Sequence, residues 1–136
     1  MFARHALLAR AVQAAVEAWS TEGAMRFFCR VPEARSVSVT TIEMTNGHDP
    51  EAMREIARER FQVAIAGALG PQTGRGFRIG HLGDLNAPMI LGCLAGVEAA
   101  MTVQKIPFGR DGVQQAVACI AGGAVNLETS VTALVG

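Results

Sequence analysis

Apolar residues return every three or four positions from Ala3 to Ser20. Leu8, Val12, Ala15, Val16 and Trp19 form one stripe, with Arg10, Gln13 and Glu17 off it. That spacing predicts an amphipathic helix, ended by Thr21–Gly23. The pattern then changes. Met25–Cys29 and Ser36–Met44 predict strands, the second because Val37, Val39 and Thr41 alternate with Ser38, Thr40 and Ile42 in β-branched company. Asn46-Gly47 marks a turn. Asp49-Pro50-Glu51 is a helix start: Asp caps, Pro suits the first helical position, and Glu meets the positive end of the helix dipole. This helix is expected to run to about Arg60, with Met53, Ile56, Ala57 and Phe61 inward. Its Glu51, Glu55, Glu59, Arg54 and Arg58 form a charge row of the kind that is usually a solvated surface.

Gln62–Leu69 predicts a short strand, Gly70–Gly76 a glycine-rich loop, and Phe77–Ile79 another short strand. Asp84 or Asn86 caps a long helix over Ala87–Gln104, with Ile90, Leu94, Val97 and Met101 as its inner stripe. Gly112–Ile120 predicts a last helix. This order predicts an α+β fold, a small, mainly antiparallel sheet with helices packed on one face.

Half of the 136 residues are hydrophobic and the net charge is zero, which fits one globular domain rather than a disordered chain. No basic stripe suggests nucleic acid. The longest charge-free stretch, Gly112–Leu127, is too short and too rich in Gly and Gln to span a bilayer. Met1–Arg10 holds Arg4, His5 and Arg10 and lacks the apolar run of a secretory leader. Cys29, Cys93 and Cys119 are widely spaced with no CxxC pair. That pattern points to a reducing, cytoplasmic setting rather than a disulfide framework or a zinc site.

Several residues invite a chemical reading. His81 and Asp84 are three apart, as are His48 and Glu51, but no third ligand joins either pair, so no metal site is expected. Ser36, Ser38 and Ser130 have neither a GxSxG context nor a placed base. Glu98, on an otherwise apolar helix, reads either as a buried functional carboxylate or as a helix-edge side chain reaching solvent. Gly92 and Gly96 form a GxxxG step that predicts close helix packing. The segment Gly67–Asn86, GALGPQTGRGFRIGHLGDLN, is dense in glycine and polar residues between two apolar elements. It reads as a loop whose backbone approaches a ligand, with Arg78 projecting from a short strand to meet a carboxylate with its planar fork. It also reads as a tight strand connection carrying a surface Arg78. It is not a phosphate loop, because GxxxxGK[ST] is absent.

That same segment resembles the signature near the C-terminus of class V, pyridoxal-phosphate-dependent aminotransferases of the alanine–glyoxylate and serine–glyoxylate type. There a GLG…TGK-x-hydrophobic-RIGxxG pattern precedes a long apolar helix. LGCLAGVEAAM is similar to that helix, and ARHALLARAVQAAVEAW to the helix linking the family's large and small domains. SVSVTTIEMTNGHDPEAMREIARERFQVAIAGALG resembles the small-domain strand and helix, and FGRDGVQQAV the closing element. The resemblance covers roughly residues 3 to 118. It departs from the family at Arg75, where the pattern has Lys, and over the tail CIAGGAVNLETSVTALVG.

The resemblance implies a linker helix over 1–22, a small domain over 23–118 and a divergent tail over 119–136. It implies an enzyme that transfers an amino group between alanine or serine and a 2-oxo acid such as glyoxylate or pyruvate, with Arg78 binding the substrate α-carboxylate. The family's cofactor-bearing Lys, the Asp on the pyridine nitrogen and the phosphate ligands belong to the large domain, upstream of the matched region. No catalytic or cofactor-binding residue is therefore expected in this chain, nor pyridoxal phosphate bound by it alone, nor activity without a large domain or partner subunit. Lys105, the only lysine, follows the long helix and does not correspond to the cofactor-bearing position. A homo-oligomer is expected, as is a wide apolar face of the first helix left exposed for the missing partner. The alternative is a non-enzymatic α+β module that binds a small carboxylate or mediates assembly.

Overall fold

The computed structural model describes residues 2–29, 39–70, 73–80 and 86–122. Helix α1 takes Phe2–Trp19 and ends in a single 3-10 turn at Ser20–Glu22, closed by Gly23 at φ 81°. Strand β1 is Met25–Phe27 and β2 is Val39–Met44; the expected start at Ser36 lies outside the described residues. A tight turn follows, with Asn46 and Gly47 both at positive φ and His48 N–H donating to Thr45 O. Helix α2, Pro50–Phe61, begins where expected because the Asp49 carboxylate accepts from the N–H groups of Glu51 and Ala52. Strand β3 is Ala66–Gly67, β4 is Gly76–Gly80, and α3 is Ala87–Val103. Asn86 is the cap of α3, its side chain accepting from Met89 N–H at 2.9 Å. Residues 112–122 form the last helix, α4, which runs through position 118, where the resemblance ends.

The four strands among the described residues are antiparallel throughout, in the order β1-β2-β4-β3. Strand alternation divides the sheet into two faces. Met25, Phe27, Ile42, Met44, Phe77 and Ile79 point into the core, with Phe27, Ile42 and Phe77 in one cross-strand row. Helix α1 lies against β1 and β2, α2 against β3 and β4, and α3 packs on both helices. The architecture is α+β, with the helices on one face of the sheet. The stripes expected for α1 and α3 are buried, from Leu8 to Trp19 and from Ile90 to Met101.

Three expectations are corrected. Phe61 is exposed rather than inward, because α2 ends there and Gln62 turns left-handed at φ 56°. The strand expected over Gln62–Leu69 shrinks to two residues. The chain leaves α2 with Val63 N–H on Ala57 O, and Val63 packs against Gly96 of α3 before the ladder with β4 begins. The apolar stripe of α1 is not on the surface: Leu8, Ala11, Val12, Ala15, Val16 and Trp19 are all within the core. The exposed large apolar residues lie elsewhere, Leu69 and Met89 among them. Of the GxxxG pair, Gly96 makes the close contact, since a Cβ there would lie 2.4 Å from a Val63 methyl, while Gly92 faces open space.

Candidate functional site

The sheet face opposite the helices carries Arg26, Thr41, Glu43, Ala66 and Arg78, and no described helix packs on it. Arg78 is at the centre of β4, and its register neighbours are Thr41 on β2 and Ala66 on β3. The residues two before and two after it on the same face are Gly76 and Gly80. Neither bears a side chain, so the backbone on both sides of Arg78 is flat. Gly76 is also required by the sheet: a Cβ there would lie 2.2 Å from Ile42 O.

Arg78 is half-buried, and its Nε donates to Gly67 O at 2.7 Å. That bond uses one edge of the guanidinium and fixes its plane. The edge formed by the two terminal nitrogens can still meet a carboxylate with two parallel N–H donors. In the adjoining row, Arg26 pairs with Glu43 at 3.1 Å. This sets one compensated charge pair beside the half-buried cation. A groove of about 510 Å³ opens elsewhere, lined by Asp49, Glu51, Arg54, Arg58, Ala64 and Ile65. It does not include Arg78, and its mixed charges partly pair with each other, as Arg54 does with Glu51.

Other candidate residues fall differently. His81 and Asp84 of the first spacing pair lie outside the described residues, as do Ser36, Ser38 and Ser130. Among the described residues no cluster of three or more His, Cys, Asp or Glu side chains could hold a metal ion. Arg75 is exposed. Glu98 is half-buried, between its two readings. Its Oε2 accepts from Trp19 Nε1 at 3.1 Å and from Val113 N–H at 3.0 Å, which ties α1 and the start of α4 to α3. Arg54 is not simply a solvated charge, because its Nε donates to Ile65 O at 2.8 Å.

No protein-family model matches the chain. The L-aspartate–glyoxylate aminotransferase of Paracoccus denitrificans is 38% identical over 109 residues, which are 79% of this chain and 26% of that protein. The serine–glyoxylate aminotransferase of Methylorubrum extorquens is 36% identical over 101 residues, 74% of this chain and 24% of that protein. The crystal structure of pyridoxamine–pyruvate aminotransferase from Mesorhizobium loti matches with a TM-score of 0.80 at 28% identity, covering 89% of this chain and 30% of that one. The chain belongs to the class V, pyridoxal-phosphate-dependent aminotransferases, as their C-terminal small-domain portion.

It spans about a quarter of the length of these two curated relatives. The one lysine does not fit the family's cofactor. Lys105 is exposed, at φ 58°, where it closes α3 with Ile106 N–H on Met101 O. A cofactor-bearing lysine needs a desolvated pocket beside the ring, and Lys105 has none. Among the described residues no helix is long and apolar enough to cross a membrane. Sequence reasoning missed Gly67 and Thr41 as neighbours of Arg78. Alternation put Thr41 on a definite face of β2, but only the register shows that it stands opposite Arg78.

Proposed function

We propose that this chain is the part of an aminotransferase that holds the substrate carboxylate, and that Arg78 is the residue that holds it. The observation that carries the reading is the placement of Arg78, half-buried on the sheet face away from the helices, with a glycine two residues away on either side and its Nε held to Gly67 O. A guanidinium so held is preorganised for a planar, bidentate anion. The relatives' names support a short 2-oxo acid as the ligand, since glyoxylate or pyruvate occurs in each. Those two acids share a carboxylate next to a carbonyl and differ by one methyl group.

The rest of the enzyme, in this reading, comes from a large domain or partner subunit that brings the pyridoxal phosphate and its lysine. The chain alone is inactive, and the assembled enzyme is a cytoplasmic homo-oligomer. The test is a titration of the 136-residue chain with pyruvate and with glyoxylate, followed by ¹⁵N NMR at the Arg78 Nε–H group. The expected result is a saturable shift at Arg78 that Arg78→Ala abolishes. Shifts elsewhere with none at Arg78 would mean that it is a surface side chain in a strand connection.

A further inference from the structure

Arg54 and Arg78 reach the same short segment from different elements. Arg54 is on α2 and Arg78 on β4, and each donates its Nε to a backbone carbonyl, Arg54 to Ile65 O at 2.8 Å and Arg78 to Gly67 O at 2.7 Å. Ile65 is the residue before β3 and Gly67 the last residue of β3, so one stretch of backbone carries both bonds. Arg54 is itself held. Its Nη1 pairs with Glu51, whose own N–H is bound by the Asp49 cap of α2. Packing links the two ends: a Cβ on Gly67 would lie 2.8 Å from Arg54 Nη1.

Ile65 and Ala68, on either side of β3, are buried in the core, but the ladder itself holds the strand weakly. It is an edge strand with two ladder residues, and the next bond toward β4, Ala68 N–H to Gly76 O, is long at 3.3 Å. An edge this short is weakly fixed by its ladder. The carbonyl that orients Arg78 therefore depends on what grips the strand from its other side.

We infer that Arg54 is a positioning residue for Arg78. By holding Ile65 O from α2, Arg54 fixes the Gly67 carbonyl, and that carbonyl sets the plane in which the Arg78 fork meets a carboxylate. The inference rests on the reading of Arg78 as the carboxylate ligand. Without Arg54 the charge of Arg78 is unchanged, but its plane is released, and a bidentate contact depends on that plane.

The experiment uses two variants of the whole chain, Arg54→Gln and Glu51→Ala, and two NMR readouts. The first, without ligand, is the protection of the Arg78 Nε–H proton from exchange with water. It is expected to fall in both variants, while the core-side amides of Phe77 and Ile79 keep their shifts. The second is the pyruvate titration, in which both variants are expected to bind roughly three- to tenfold more weakly, the effect of one orienting hydrogen bond. Glu51→Ala separates position from charge. It makes the chain more positive, so simple electrostatics would tighten anion binding, whereas loss of the Arg54 anchor weakens it. Tighter binding by Glu51→Ala, or unchanged proton protection in Arg54→Gln, would overturn the inference. If Arg54→Gln does not fold, Glu51→Ala carries both readouts. A wild-type chain that shows no Arg78 shift with pyruvate sinks the carboxylate reading, and the exchange measurement still decides whether Arg54 orients Arg78.

Discussion

Trp19 and Glu98, 79 positions apart, meet through a hydrogen bond from the indole Nε1 to Oε2 at 3.1 Å. The same oxygen accepts Val113 N–H at 3.0 Å, in the first turn of α4. One carboxylate thus satisfies a buried indole and an otherwise unpaired donor at a helix start, where negative charge is also favoured by the helix dipole. Gly112 is part of the joint, because a Cβ there would lie 2.1 Å from Trp19 Nε1.

Replacing that carboxylate should therefore cost stability. Glu98→Ala leaves two donors unpaired and is expected to destabilise the fold by about 1.5–3 kcal/mol, the range for hydrogen bonds to a charged group. Glu98→Gln keeps an acceptor and should lose less. Trp19 is the only tryptophan, so urea unfolding followed by its fluorescence reports on this joint directly. An Ala variant as stable as the parent would show that water replaces the carboxylate without loss.

Lys105 gives a prediction of the opposite sign. It occupies a left-handed position at φ 58°, where a side chain costs on the order of 1 kcal/mol and glycine costs none. Lys105→Gly is expected to stabilise the chain by about 0.5–1 kcal/mol in the same urea experiment. It also removes the only lysine. Identical absorbance of parent and variant after addition of pyridoxal phosphate would show that Lys105 carries no cofactor.

The long elements were legible in the sequence because their signals are local. The Leu8–Trp19 and Ile90–Met101 stripes, the Asp49-Pro50-Glu51 start and the alternation in β2 each depend on neighbours within a turn or a pleat. The losses were all non-local. Gln62 takes a left-handed conformation that its residue type does not announce, and this shortened β3. Glu98 found partners on two other helices. Arg54 looked like one more charge on a solvated row until the fold brought Ile65 O to it. Arg78 could be singled out from its glycine-rich setting, but its orienting carbonyl, Gly67 O, comes from a separate strand.

Cys93 predicts a pH dependence. Burial in α3 raises its thiol above the ordinary range. The folded pKa then exceeds the unfolded one, near 8.5, and below that value both states keep the proton and stability is complete. As the pH rises past it, the unfolded chain gives up the proton first. Stability then falls by up to about 1.4 kcal/mol per pH unit until the folded thiol ionises too. Cys93→Ala should flatten the decline between pH 8.5 and the folded value, measured as the shift of the urea midpoint. A variant with the same alkaline slope as the parent would assign that slope to other groups.

The last prediction separates charge from shape at Arg78. In an enzyme assembled from this chain and a large domain, Arg78→Ala should lower kcat/KM for the 2-oxo acid roughly ten- to hundred-and-fifty-fold. That range corresponds to about 1.5–3 kcal/mol for a charge-assisted pair. The lower part of the range is expected, because Arg78 is half-buried and solvent weakens its field. Arg78→Lys keeps the charge and loses two things, the Nε bond to Gly67 O and the fork. It should recover only part of the lost rate, and the recovery should fall as salt is added, since a point charge in partly wet surroundings is screened. Affinity for pyridoxal phosphate should be unchanged in both variants, because none of the described residues around Arg78 fits the cofactor. The decisive comparison is kcat/KM for pyruvate in the three proteins at low and high salt. Full recovery by Lys at both salt concentrations would mean that only the charge matters and that the bond holding the Arg78 plane to Gly67 has no part in binding.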